Sequence, residues 1–310
     1  VLDVTAIKRA EEQLHLYARV FQFSGEAIVI SDIGNNIVEV NPEFTHLTGY
    51  TIDEVRGKNP RILSSGLTPP ETYPGLWRAL LDTGIWQGEL WDRRKDGSVY
   101  PKWATISVIR DDYGRIVNYM ANFVDISERK AAEERMHRLA HHDVLTGLAN
   151  RLGLEYRLKQ AMLAAQRDNR QIATMFIDMD RFKTINDTLG HHVGDLLLVE
   201  VAARLQTSAR ASDIVARLGG DEFVVILADV VDESAALLVA EKIVERLSQP
   251  YLLEGREVRS SPSVGVSLYP AHGDDADALM KRADMAMYRA KEAGRGCFRV
   301  FSADMLEARE

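Results

Sequence analysis

Residues 210–227, RASDIVARLGGDEFVVIL, constrain the fold more than any other stretch of this chain. Two runs suited to burial, 214–218 and 223–227, are joined by Gly219 and Gly220, with two adjacent carboxylates, Asp221 and Glu222, directly behind them. A glycine turn between such runs predicts a hairpin. Carboxylates beside buried strands are costly unless something pairs with them, so the hairpin needs a partner for its acids. FIDMDRFKTIND sharpens the demand. Its apolar strand, 174–177, is followed by Asp178 and Asp180 at i and i+2, which period two places on one face of the strand end. With the hairpin alongside, four acids would converge. Such a group repels itself unless a hard cation joins it, and Mg²⁺ takes one or two carboxylates plus phosphate oxygens. The two glycines would let a phosphate and its base come close to the backbone. An exposed acidic turn is the plainer meaning of either pair alone.

Basic residues complete the pattern. Lys183 lies five residues after Asp178, Arg217 two before the Gly-Gly, and Lys291 and Arg295 at i, i+4 on one face of the last predicted helix. Together with the acids they read as partners of a triphosphate, able to neutralise a leaving pyrophosphate. By themselves Lys291 and Arg295 would be a solvated helix end favoured by the macrodipole.

The rest of the composition sets limits. The chain has 310 residues, enough for about two domains, and its 46% hydrophobic and 27% charged residues are those of a globular protein. A net charge of -8 argues against non-specific nucleic-acid binding. Cys297 is the only cysteine, which rules out an intrachain disulfide or a multi-cysteine zinc site and fits a reducing cytoplasm. No run of about 18 apolar residues appears. The N-terminus has neither signal-peptide features nor an initiator Met, which reads as a piece of a longer protein, with an upstream membrane anchor left open.

Two segments, DVTAIKRAEEQL from Asp3 and DISERKAAEERM from Asp125, recur at an offset of about 122 residues. Each reads as a strand end, a hydroxyl N-cap (Thr5, Ser127) and a helix. The organisation expected is 1–14 the tail of an upstream signalling helix, 15–126 a first domain, 127–142 a connecting helix, 143–302 a second domain and 303–310 the start of a linker. Short alternating runs separated by DIGNN, RRKDG and DDYG make the first domain an antiparallel five-stranded sheet with short helices. With NPEFTHLTGYTIDEVRGKNPRIL and GIWQGELWDRRKDGSVYP it resembles the PAS sensor family. Part of it is similar to the flavin-binding branch, which makes flavin one candidate ligand. Pro60 stands where light-sensing members carry a cysteine, so no cysteinyl adduct can form. Asp92 stands where flavin binders commonly carry asparagine, and would repel a flavin carbonyl unless protonated. His15 and His46, as lone histidines, make no haem site. The PAS ligand and its signal stay open.

From residue 143 the texture changes to helices alternating with strands in β-α-β-β-α-β order, an α+β fold with a central antiparallel sheet flanked by helices, as in palm-like nucleotidyl-transfer domains. DVLTGLANR, FIDMDRFKTINDTLGHHVGD, RLGGDEF and KRADMAMYRAKEAGR, in that order, resemble the GGDEF family of diguanylate cyclases. The resemblance implies condensation of two GTP into cyclic di-GMP with release of two pyrophosphates, with Mg²⁺ or Mn²⁺ as cofactor. It implies metal ligation by Asp178, Asp221 and the backbone carbonyl of Met179, and guanine recognition by Asn186 and Asp195. Lys183, Arg217, Lys291 and Arg295 match phosphate-contacting positions, beside Gly219 and Gly220. Either Glu222 or Asp221, through its metal, would help deprotonate the attacking 3′-hydroxyl. Arg210 and Asp213 match an R-x-x-D product-inhibition site. Each such domain holds one GTP, so catalysis implies a homodimer, here through the PAS domain and a connecting helix with Ala131 or Ala132, Met136 and Leu139 at near-heptad spacing. The alternative is a non-catalytic GTP-binding module regulating a cyclic di-GMP phosphodiesterase domain further along a longer chain.

Overall fold

The structure, a computed structural model, describes residues 4–309, so Asp3 of the first repeat and Glu310 of the expected linker lie outside the described residues. The chain forms two compact units that divide between Glu134 and Arg135. The first contains α1 (Val4–Gln22), β1 (Ala27–Asp32), β2 (Ile37–Val40), α2 (Pro42–Thr48), α3 (Ile52–Val55), a 3-10 turn (Pro60–Leu63), α4 (Thr72–Asp82), β3 (Ile85–Arg93), β4 (Val99–Arg110) and β5 (Ile116–Asp125). The strands form one sheet in the order β2-β1-β5-β4-β3, antiparallel throughout, as the alternating runs predict. Helix α1 runs to Gln22, beyond the boundary expected near residue 14.

Alternation along these strands sorts the side chains. Ala27 and Val29 of β1, Leu90 of β3, Ala104 of β4 and Phe123 of β5 share the inner face, where Phe44, Val55 and Leu63 cover them. Asn41 fastens the layers: its Oδ1 accepts from Ile28 N at 2.8 Å and Phe44 N at 3.0 Å, capping α2, while its Nδ2 donates to Glu26 O at 2.9 Å.

Helix α5 (Ser127–His141) follows, and the division between the units falls inside it. Its N-terminal hydrogen bond comes from Asp125, whose Oδ1 accepts from Ser127 N at 2.7 Å; Ser127 itself is the first helical residue and not the cap. Likewise Thr5 lies within α1 as described.

The second unit contains α6 (Arg151–Asp168), β6 (Gln171–Met179), α7 (Phe182–Leu189), α8 (His191–Ser208), β7 (Ile214–Gly219), β8 (Glu222–Val230), α9 (Glu233–Leu247), β9 (Tyr251–Leu253), β10 (Arg256–Val258), β11 (Pro262–Tyr269), α10 (Ala276–Glu292) and β12 (Phe298–Val300). Its main sheet runs β12-β11-β6-β8-β7, antiparallel except for the β11–β12 pair. The hairpin β9–β10 and the parallel edge strand β12 extend the expected β-α-β-β-α-β order. Period two again decides which core each strand residue joins. Met175, Ile177, Phe223 and Val225 face α8 and α9, whereas Phe176, Val224 and Ile226 face α6 and α10. Phe223 is fully buried, so truncating it to Ala would cost about 3–5 kcal/mol. With both faces covered, the strand ends are left to carry polar chemistry.

Candidate active site

The polar residues gather where β6 ends and the β7–β8 hairpin turns. Asp178 pairs in register with Glu222 on one side and Ser263 on the other. The turn itself is Gly220 and Asp221, and Met179 N donates to Asp221 O at 3.3 Å. Gly219 and Gly220 have φ of 146° and 52°, values that L side chains rarely adopt, while the space around both is open. The local need for glycine is therefore conformational. Among the sequence-predicted acids, Asp178, Asp221 and Glu222 come together.

Electrostatics confirm the proximity. Burial, followed by the charge of Asp178, pushes the Asp221 carboxyl up to about 6. Burial also raises Glu222, with Asp178 and Asp284 adding to it and Arg151 and Lys291 opposing it. Lys291 Nζ stands 2.8 Å from Asp178 Oδ1.

Asp180 does not join them. Because β6 ends at Met179, the period-two rule stops one residue short of it. Its side chain turns inward and accepts from Ser261 Oγ and Ser263 Oγ, both at 2.7 Å, and from Gly296 N at 3.1 Å. Arg295 is also placed differently from expectation. Helix α10 ends at Glu292, and Arg295 sits beyond it with φ of 66°, its Nε 3.9 Å from Asp180 Oδ1. Lys291 and Arg295 therefore share no helix face, although both reach the end of β6.

Arg217 is held in place rather than left open for phosphate. Its Nη1 donates to Asp143 Oδ1 at 2.9 Å and Oδ2 at 3.1 Å, and its Nε and Nη2 donate to Gly220 O at 3.0 and 2.7 Å. Asp143 also accepts from Thr146 N and Oγ1. Burial works against the Asp143 carboxylate, yet the Thr146 and Arg217 bonds hold it below the usual range. Sequence reasoning gave no role to Asp143, Arg151 or Asp284. The first two belong to DVLTGLANR, where their motif was the available signal; nothing in the sequence marked Asp284.

The remaining predicted residues lie on α7, α8 and the chain before β7. Lys183 and Asp195 are exposed. Asn186 Oδ1 is buried without a hydrogen-bond partner, and it lies so close to Gly194 that a Cβ there would meet it at 1.9 Å. Arg210 N donates to Asp213 Oδ2 at 2.8 Å, so that aspartate shapes the turn, while the Arg210 guanidinium has no protein partner among the described residues. Also among the described residues, no three His, Cys, Asp or Glu side chains enclose a candidate ion position, and no helix is long and apolar enough to cross a membrane.

A sheet of this order with acids at the β6 end and at a Gly-Gly hairpin defines a nucleotidyl-transfer type of domain. The family model described as "Diguanylate cyclase, GGDEF domain" matches residues 140–297, and a PAS domain model matches residues 25–128. The chain belongs to the GGDEF family and carries a PAS domain ahead of it. It is 48% identical over 174 residues to MucR of Pseudomonas aeruginosa, named a bifunctional diguanylate cyclase/cyclic di-GMP phosphodiesterase. That match covers 56% of this chain, which spans only 25% of MucR's length. The solved GGDEF domain of TpbB from the same organism is 46% identical with a TM-score of 0.53, covering 54% of this chain and 98% of that one. The coiled coil and GGDEF domain of DgcB from Caulobacter crescentus, solved with c-di-GMP, is 30% identical with a TM-score of 0.51, covering 57% and 93%.

Proposed function

We propose that the second unit joins two GTP molecules into cyclic di-GMP with release of two pyrophosphates. The observation that carries this reading is the meeting of Asp178, Asp221 and Glu222 at one strand end, with burial and mutual repulsion raising Asp221 to about 6. Carboxylates so placed lose their repulsion when they share a cation. The donor set fits Mg²⁺ or Mn²⁺: two carboxylates, Asp178 and Asp221, with the Met179 carbonyl, leave the other positions to water and phosphate oxygens, as Mg²⁺ prefers. Such an ion, when bound, supplies charge to the attacking and leaving oxygens.

The chain's own residues do the rest. Asn186 Oδ1, a buried acceptor with nothing to accept, suits a guanine N–H, and Asp195 offers a second acceptor nearby in sequence; adenine would leave the buried one unpaired. Lys183, Lys291 and Arg295 draw charge from the leaving pyrophosphate. Arg217, anchored on Asp143, fixes the Gly220 carbonyl and so the turn that presents Asp221. Glu222 or Asp221 takes the proton from the 3′-hydroxyl, and raised carboxyl pKa values make both better acceptors. Two copies face each other, because one copy holds one GTP. Their contact runs through the PAS domain and α5, whose Met136 and Leu139 are 70% and 53% exposed. Product returning to Arg210 and Asp213 inhibits the enzyme.

MucR's name supports a second reading, in which the unit binds GTP and regulates a phosphodiesterase domain without turnover. Pyrophosphate release separates the two. The nucleotide-stripped chain should release pyrophosphate from GTP and not from ATP, and Glu222→Gln should lower that rate about a hundredfold or more while GTP still binds. GTP binding without release in the parent chain favours the regulatory module.

A further inference from the structure

The first unit encloses a cavity of about 420 Å³, within the range of small-molecule sites, roughly 300–1,000 Å³. It lies between the inner face of the sheet and the segment made by the 3-10 turn and α4. Its walls are apolar and aromatic, with Leu76, Trp77 and Leu80 of α4 opposite Tyr119, Ala121 and Phe123 of β5. Trp77 and Tyr119 meet edge to face with centroids 5.6 Å apart. At the sheet side lie two charges. Asp92 on β3 and Lys102 on β4 point to the same face, diagonal to each other in the β3–β4 register, and both line the cavity. Their side chains are 8% and 9% exposed, and Lys102 Nζ stands 2.5 Å from Asp92 Oδ2.

This pair is poorly explained as a structural element. A buried ion pair is seldom more stable than apolar residues of the same volume. The two approach as charges but not along a hydrogen-bond line, so Asp92 Oδ2 has no properly directed donor. The ammonium has three donors, and among the described residues it meets only this carboxylate and the Phe123 ring, 4.0 Å below it. An acceptor and a donor therefore stand side by side at the edge of an otherwise apolar space.

We infer that this cavity binds a planar heterocycle presenting a ring N–H beside a ring carbonyl, the edge shared by flavins and pteridinediones. Asp92 accepts from the N–H and Lys102 donates to the carbonyl, while the apolar walls enclose the ring faces. The repulsion expected between Asp92 and a flavin carbonyl is removed because Lys102 meets the carbonyl instead. An amino acid carries the same pair of groups but leaves the aromatic walls with little to cover.

The test is titration of the purified 310-residue chain with riboflavin and, separately, with lumazine, each followed by its own fluorescence. One or both should bind at one per chain. N3-methylriboflavin, whose ring N–H is blocked, should bind on the order of a hundredfold more weakly than riboflavin. The Asp92→Leu/Lys102→Met double variant should melt no lower than the parent and lose binding to the same degree. Should that variant not fold, Ala121→Phe, which fills the cavity and keeps the pair, should abolish binding. Failure of both probes to bind, equal binding of the methylated probe, or undiminished binding by the folded variants overturns the inference.

Discussion

Asp221 is partly buried and faces Asp178, so its charged form is disfavoured in the metal-free protein. An acid whose folded pKa is raised from 3.8 to about 6 contributes stability that is complete below about pH 4 and lost as pH rises through about 6. Thermal melts in chelator should accordingly show the second unit losing stability from pH 4 to pH 7, with Mg²⁺ restoring most of it at pH 7. Asp221→Asn should flatten that dependence and lower turnover on the order of a thousandfold. A parent protein whose pH profile matches that of the variant would contradict this assignment. At this scale the sequence was informative wherever the partners were close along the chain. Asp221 and Glu222 stand beside their glycines, and Asp178 is one strand away in a predictable register. Arg217 and Asp143 are 74 residues apart, and only the folded chain brings them together. The Asp92–Lys102 pair escaped for a related reason: each looked like an ordinary charge in a strand, and burial of both depends on what covers the sheet.

The end of β6, the start of β11 and the segment after α10 are tied together by one side chain. Asp180 receives hydrogen bonds from Ser261, Ser263 and Gly296, and so links the strand carrying Asp178 to the segment carrying Arg295. Asp180→Asn turns one acceptor into a donor facing Gly296 N–H. We expect the KM for GTP to rise about tenfold with a smaller change in kcat, and stability to fall by about 1–3 kcal/mol. A lower melting temperature with an unchanged KM would make Asp180 purely structural. The elements themselves were largely legible, since alternation in the strands and helical spacing in α6, α8, α9 and α10 follow from which faces are covered. Their ends were not. The i, i+4 spacing of Lys291 and Arg295 suggested one helix face, but Gly294 and Gly296, at φ of 112° and 58°, belong to a turn that has left the helix. The strand end before Asp180 failed for the same reason: periodicity describes an element's interior and says little about where it stops.

At the scale of the molecule, a ring closed from two nucleotides needs two copies of the site. The exposed Met136 and Leu139 of α5 give the chain an apolar stripe on an otherwise charged helix, which suits pairing with a second copy. The net charge of -8 and the single cysteine are neutral on this point. The most direct measurement is the rate of cyclic di-GMP formation, followed by chromatography, from GTP and Mg²⁺ across a dilution series of the nucleotide-stripped chain. The account predicts product whose rate per chain falls on dilution, and falls further in Met136→Glu/Leu139→Glu, whose melting temperature should stay close to that of the parent. Product formed at the same rate per chain at every dilution and in the variant would contradict the paired site, and absence of product at any concentration would contradict the cyclase itself.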